Sequence, residues 1–400
     1  MRSAIALVLL LAFVPVAAQS PAPRGYYRFP AIHGDTVVFT AEGDLWAVSV
    51  QGGQARRLTA NPGPETNAAL SPDGRTLAFT GTYEGPADVY TMPLAGGLPI
   101  RRTFQGGASV VGWTPGGQVL YTTHHYSTLP NTQLVRLDTA TNTPTPVPLS
   151  QAADGSFDSS GTTLFFTRQA FQGSHTRGYK GGTAQNIWRY TAGDAEARPL
   201  TADYPGTSKD PMVWAGRIYF ISDRDGTMNL WSMTPDGGDL RQLTHHAEWD
   251  VRGASLDGGR IAYQLGADLW LYTIATGDDH PIPITLASDL DQTRERWITK
   301  PMEWLTAAHL SPDGDRVVLT ARGQVFVAPA GPGRLVEASR RPGVRYRSAR
   351  FAPDGRSLFV LSDQTGETEW WRLDPDGIGG PAQLTRGDTV IRFDGIASPD

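Results

Sequence analysis

One four-residue turn recurs along the whole chain, and this repetition limits the fold more than any other feature of the sequence. It reads Ser71-Pro72-Asp73-Gly74, Thr114-Pro115-Gly116-Gly117, Asp158-Ser159-Ser160-Gly161, Ser255-Leu256-Asp257-Gly258, Ser311-Pro312-Asp313-Gly314 and Ala352-Pro353-Asp354-Gly355. Weaker versions stand at His33-Gly34-Asp35 and Ala215-Gly216. Proline fixes φ at the first corner of a type I turn, Asp tolerates the second, and Gly takes the left-handed position that returns the chain to a strand. An apolar run follows each turn, as in Thr76-Leu77-Ala78-Phe79-Thr80 and Arg217-Ile218-Tyr219-Phe220.

Two further signatures keep step with the turn. The first is polar–aliphatic–aromatic: Asp44-Leu45-Trp46, Asp88-Val89-Tyr90, Gln133-Leu134-Val135, Asn186-Ile187-Trp188, Asn229-Leu230-Trp231, Asp268-Leu269-Trp270, Gln324-Val325-Phe326 and Glu369-Trp370-Trp371. It suits a strand with one face in a core, the large ring filling the wedge between neighbouring sheets. The second closes many repeats: Arg56-Arg57-Leu58-Thr59, Arg198-Pro199-Leu200-Thr201, Arg241-Gln242-Leu243-Thr244 and Gln383-Leu384-Thr385. Successive turn glycines lie 40 to 56 residues apart, most of them 40 to 44. That period, with several short strands per repeat and no amphipathic helix, is a propeller blade. The chain is therefore expected to be all-β: a six-bladed β-propeller over 26–284, a linker over 285–306 and the start of a second propeller over 307–400. Its end, at Ser398-Pro399-Asp400, opens another turn motif without the glycine, so the sequence reads as cut off inside a longer protein.

Composition excludes several classes. The net charge of −5 and the scattered basic residues give no footprint for nucleic acid. With no Cys there is no disulfide framework, thiol nucleophile or Cys-based metal site. Residues 1–18 read as a signal peptide: Arg2 is the positive start, Ala4 to Val14 the apolar run, and Val16-Ala17-Ala18 the small-residue cleavage site. The apolar run falls short of the roughly 20 residues a bilayer span needs. The mature chain is expected to be exported, periplasmic or secreted, without a membrane span.

With these passages in hand, the chain resembles the N-terminal region of tricorn-type serine peptidases. The resemblance rests on Tyr179-Lys180-Gly181-Gly182-Thr183-Ala184-Gln185-Asn186-Ile187-Trp188, on Arg322-Gly323-Gln324-Val325-Phe326, on Gly343-Val344-Arg345-Tyr346-Arg347-Ser348-Ala349 before Ala352-Pro353-Asp354-Gly355, and on Leu361-Ser362-Asp363-Gln364-Thr365-Gly366-Glu367. It covers about residues 26 to 400. It implies a six-bladed ring, a seven-bladed ring, a PDZ-like module and a serine peptidase core, with the propellers filtering oligopeptides on their way to the active site. It also implies a possible hexamer. The PDZ-like and peptidase domains, and every catalytic residue, would lie beyond residue 400. The alternative is a TolB-like periplasmic propeller that binds partner proteins; a prolyl-oligopeptidase-like enzyme would place a hydrolase domain after a single ring.

No catalytic, cofactor or metal residue is assigned within the chain. G-x-S-x-G is absent, and Gly253-Ala254-Ser255-Leu256-Asp257-Gly258 reads as a blade hairpin. Asp223-Arg224-Asp225-Gly226 lacks the rest of a calcium loop. The pairs His124-His125 and His245-His246 read as solvated loop histidines, since strand neighbours point apart. The insertion from Gln169 to Gln185 is the best binding candidate, with Arg177, Tyr179 and Lys180 able to hold a peptide carboxylate; Arg322, Arg345 and Arg347 form a second anion-binding candidate. An inter-domain packing loop is the competing role for the first set, and inter-blade salt bridges for the second.

The leader makes a direct prediction. Expressed from Met1 in a bacterium, the exported protein should begin at Gln19 on N-terminal sequencing. An intact N-terminus held in the membrane fraction would contradict it.

Overall fold

The computed structural model describes residues 25–129, 131–171, 177–289, 297–387, 390, 392–396 and 398. The leader and the central part of the insertion lie outside them. Two compact units divide the chain, Met1–Thr293 and Arg294–Asp400. Among the described residues the helical content is one 3-10 turn, Pro301–Trp304. Everything else regular is strand, so the chain is all-β.

The first unit is a ring of six antiparallel meanders, each running from an inner strand outward. The inner strands of blades 1 to 6 are Arg28–His33, Glu65–Leu70, Ala108–Trp113, Asp154–Phe157, Ser208–Trp214 and Val251–Asp257. The second unit holds two further four-stranded sheets, with inner strands Leu305–Leu310 and Tyr346–Phe351.

The recurrent turn folds as its residues dictate. Gly74 N–H reaches Ser71 O at 2.8 Å, with Gly74 at φ +69°; the Ser71 hydroxyl accepts Thr76 N–H at 2.9 Å and donates to Asp73 at 2.5 Å. The same closure forms at Gly117, Gly161, Gly314 and Gly355. A side chain at these glycines would be forced into the left-handed region that costs L-residues about 1 kcal/mol or more.

Sheet-to-sheet packing follows the sequence expectation and adds a partner to it. Each wedge holds the aromatic of one blade and the aliphatic of the blade before it: Trp46 packs with Leu269, Tyr90 with Leu45, Trp188 with Leu134, Trp231 with Ile187 and Trp270 with Leu230. Leu45, Val89, Leu134, Ile187, Leu230, Leu269 and Val325 are each fully buried. Of the rings, Trp46 and Tyr90 are buried, but Trp188, Trp231 and Trp270 are only partly so. Strand neighbours point to opposite faces, so the aliphatic and the aromatic of one signature serve the wedges on the two sides of their sheet.

The Leu-Thr signature acts as a clasp. Thr59, Thr103, Thr201 and Thr244 each accept, on the side-chain hydroxyl, the backbone N–H of that buried aliphatic, at 2.8 to 2.9 Å. Ser339 and Thr385 do the same in the second unit, to Val325 and Trp370. Each threonine hydroxyl then donates to an acidic or amide side chain: Glu65, Asp88, Asn186, Asn229 and Glu369. Arg57 and Arg101 pair with Asp44 and Asp88 at the same point in blades 1 and 2. The clasp thus ties the short outer strand, two residues in blades 2, 4 and 5, to the body of the sheet.

Ring closure joins blade 6 to blade 1. Tyr27 N–H donates to Ala267 O at 3.0 Å, and Gly34 N–H to Asp257 at 2.7 Å. Ser255 accepts Ile32 N–H, and Arg260 pairs with Asp35 at 2.9 Å. Beyond blade 6, Ile284–Leu286 adds a fifth strand to blade 1, parallel to Gly52–Arg57. The turn Gly253–Gly258, screened above as a nucleophile motif, therefore serves ring closure.

Replacing Thr103 by Val should destabilise the protein by about 2 kcal/mol, because Val89 N–H and the buried Asp88 both lose a partner. Thr103→Ser should recover most of the loss. Denaturant melts of the three proteins test this; an unchanged Thr103→Val midpoint would refute the clasp.

Candidate functional site

The six inner strands surround a cavity of about 1230 Å³. Its lining runs from the start of these strands, at Arg28 and Arg252, to their ends, at His33 and Asp257. An inner strand has no neighbour on its inward side, so its free backbone groups border the lumen.

A repeated irregularity shapes this wall. In blades 1, 2, 5 and 6 the inner strand carries a β-bulge at the same height, two residues opposing one. The first bulged residue is left-handed each time: Phe29 at φ +52°, Asn67 at +50°, Asp210 at +53° and Gly253 at +51°. Ser348 repeats it at +52° in the second unit. Bulges bend a strand and re-aim its side chains. Only Gly253 adopts this conformation without the Cβ penalty.

The wall mixes apolar side chains with polar and charged ones of both signs. Arg28, Asn67, Ser109, Asp154, Lys209, Asp210 and Arg252 all line it. Asn67 donates to Ser109 at 2.7 Å, and Lys209 lies 4.0 Å from Asp210. Burial pushes the Asp154 carboxyl up to about 7, and the nearby Asp210 charge adds to this; the Gly155 N–H and the Lys209 ammonium oppose it more weakly.

The structure sorts the residues singled out from sequence. Arg177 lines the cavity. It reaches across blade 5, pairing with Asp250 at 3.3 Å and donating to Thr227 at 2.8 Å. Tyr179 accepts the Thr183 hydroxyl at 2.9 Å and folds over its own loop at Gly181. Lys180 is exposed and, like Tyr179, stands off the cavity lining. In the second unit, Arg322 lies in a turn at φ +52° with its guanidinium 5.0 Å from the Trp304 ring. Arg345 donates its backbone N–H to Asp363 and packs on Gly323. Arg347 is exposed and immediately precedes the Ser348 bulge. Of the first set, only Arg177 therefore reaches the cavity.

His246 differs from its expected solvated state. Its Nε2 is 2.8 Å from Tyr263 Oη and 3.3 Å from Asp279, with Tyr263 donating to Asp279 at 2.5 Å. Burial lowers the His246 pKa more than Asp279 raises it, so the ring is held neutral. Among the described residues no group of three His, Cys, Asp or Glu side chains could hold a metal ion. Asp223–Gly226 is a closed turn whose Asp223 carboxylate accepts Thr207 N–H at 2.8 Å.

Sequence reasoning missed the wall itself. Arg28, Ser109, Asp154, Lys209 and Arg252 follow no residue pattern common to the blades, though each lies six to eight residues before a turn glycine. That offset was the one available signal.

Comparison with known proteins places this geometry. A family model described as the tricorn protease N-terminal β-propeller domain matches residues 24–278. Tricorn protease homolog 1 of Streptomyces coelicolor is 33% identical over 367 residues, which cover 88% of this chain and 33% of that protein. The tricorn protease of Thermoplasma acidophilum is 28% identical over 351 residues, covering 84% and 32%. The crystal structure of the tricorn protease superposes with a TM-score of 0.70 at 24% identity, over 91% of this chain and 36% of that one, which establishes a shared fold. The chain spans about a third of the length of the curated relatives it matches.

The raised Asp154 pKa fixes a sign. A carboxyl that titrates higher in the fold than in the unfolded chain favours the fold when protonated. Its contribution is full below about pH 4 and is lost as pH rises through about 7. The stability of wild type relative to Asp154→Asn should therefore fall between pH 4 and 7, by the order of 2 kcal/mol. Glu65, also raised to about 7 by burial, contributes in both proteins and cancels in the difference. Parallel denaturant melts across this range would show it; a pH-independent difference would refute it.

Proposed function

The chain belongs to the family of tricorn protease N-terminal β-propeller domains, and from that premise we propose that it is the non-catalytic, substrate-filtering region of an exported tricorn-like serine peptidase. Its partners on this reading are oligopeptides, its own PDZ-like and peptidase domains beyond residue 400, and further copies of itself in a homo-oligomer. The leader sequence, Arg2 followed by Ala4 to Val14 and Val16-Ala17-Ala18, supports export and hence peptide turnover outside the cytoplasm.

One observation carries the proposal: the first ring encloses an open lumen whose wall sets charged and polar side chains, Arg28, Asn67, Ser109, Asp154, Lys209 and Arg252, among apolar ones. A packed apolar axis would make the ring a scaffold alone. Ligand pockets span about 300–1,000 Å³, and a volume near 1230 Å³ suits an unfolded peptide segment but not a folded domain. The bulges support the same reading, because conformational strain persists where surrounding structure and use maintain it.

Gly112 provides the test. It lines the lumen, and a Cβ built there meets no heavy atom within 4 Å. In the intact protein, Gly112→Trp should slow hydrolysis of oligopeptides by about tenfold, a loss of roughly 1.4 kcal/mol in the access step. A small chromogenic substrate should be cleaved at the wild-type rate. Equal turnover of the long substrate by both proteins would remove the filter role.

A further inference from the structure

We propose that Lys209, Arg252 and Arg28 form a carboxylate-binding arc on the lumen wall, at one height on three consecutive blades. This inference rests on the reading of the lumen as a peptide passage and names the chemistry it recognises.

Register sets the common height. Lys209 opposes Ile221, Arg252 opposes Gln264 and Arg28 opposes Thr40. Those three partners in turn oppose Leu230, Leu269 and Leu45, the buried aliphatic of each blade. The inner strand of blade 6 packs between those of blades 5 and 1, so the three cations follow one another around the wall. All three line the cavity. Each is followed directly by the left-handed bulge residue, Asp210, Gly253 or Phe29.

The other half of the ring differs. Thr66, Ser109 and Asp154 hold the matching positions in blades 2, 3 and 4. The arc is thus one-sided, with hydroxyls and a single carboxyl across from it. The desolvated Asp154 resists ionisation up to about pH 7, which limits its competition for the cations.

The cations are also available. Among the described residues, neither Arg28 nor Arg252 has a carboxylate partner. Arg28 is held instead between two rings, 5.5 Å from Tyr26 and 5.4 Å from Phe29, so its guanidinium is oriented without being neutralised. Among the described residues Lys209 makes one ion pair, with Asp210 at the long distance of 4.0 Å. Asp250, a nearby acid of the lining, is taken by Arg177. The second unit repeats the device, with Arg347 immediately before the Ser348 bulge. Two guanidinium groups and an ammonium suit a carboxylate, which accepts from Arg in a bidentate pair. It comes from a peptide's C-terminus or from an acidic side chain.

The test measures binding of short peptides to the full chain by fluorescence anisotropy with an uncharged dye. One peptide is N-acetylated, has no acidic side chain and ends in a free carboxylate. The second is its C-terminal amide, and the third is the amide with one Glu. Carboxylate-bearing peptides should bind about tenfold more tightly than the plain amide, an advantage that shrinks with added salt. An advantage for the first peptide alone assigns the arc to chain ends; an equal advantage for the third extends it to acidic side chains. Arg28→Gln with Arg252→Gln should erase the advantage and leave amide binding unchanged. The exposed Arg252→Gln alone should reduce it about threefold, which guards against a packing effect at Arg28. Equal binding of carboxylate and amide forms, or an advantage that survives the double variant, overturns the arc but leaves the passage intact. Absence of binding by every peptide overturns both.

Discussion

A blade edge two residues long cannot hold itself, and the threonine clasp is what holds it. The outer strands of blades 2, 4 and 5 make only two residue pairs each. One hydroxyl at each edge accepts the N–H of the buried aliphatic and donates to the acid or amide just before it, so one side chain fastens the end of the outer strand to the third strand at two points. Buried groups of this kind cost about 1–3 kcal/mol each when left unpaired. The clasp also orders the connection that follows. In blade 1 it joins Thr59 to Glu65, the first residue of the next inner strand, which also accepts from Tyr83 at 2.6 Å. Local edge repair and blade-to-blade placement are therefore one interaction.

Blades 3 and 6 have no such threonine and are held differently. Blade 3 has a four-residue outer strand, Thr143–Pro146, long enough to pair along its length. Blade 6 has Asp278–Pro281, and the chain then passes on to lie beside blade 1 as Ile284–Leu286. Tyr27, set edge-on to Phe39, reaches Ile284 O with its hydroxyl. The ring closes through the flanks of its terminal blades and through this added strand. Blade 1 keeps all four of its own strands, and the fifth is added outside them.

The parts of this structure legible in the sequence are those that recur because every blade needs the same service. The Ser-Pro-Asp-Gly turn is one: its φ, its hydroxyl and its carboxylate each answer a local backbone requirement. The Leu-Thr element is another, although its hydrogen-bonding role emerged only with the geometry. The third-strand aromatics were legible too: Trp188 packs with Leu134 and Trp231 with Ile187, each in the wedge toward the preceding blade. Where a side chain finds its partners in another blade, sequence misled. His246 looked solvated because its partners, Tyr263 and Asp279, are distant in sequence and belong to the neighbouring blade.

The lumen was illegible for the opposite reason. Six blades present Arg28, Thr66, Ser109, Asp154, Lys209 and Arg252 at one height, so no residue common to the blades marks the wall. The bulge that follows it is equally hidden: Phe29, Asn67, Asp210, Gly253 and Ser348 have one backbone conformation and no common side chain. That contrast is itself informative. A position that merely supported the blade would converge on the residue with least strain, as the turn glycines do. Here four non-glycine residues hold a left-handed φ at a cost of about 1–2 kcal/mol each, beside side chains that vary from blade to blade. The strained backbone is the constant, and the group it presents to the lumen is the variable. In a ring built by repetition, the asymmetry of charge around the axis, Lys209, Arg252 and Arg28 on one side and hydroxyls on the other, is where the molecule departs from its own scaffold, and it is the feature blade stability does not require.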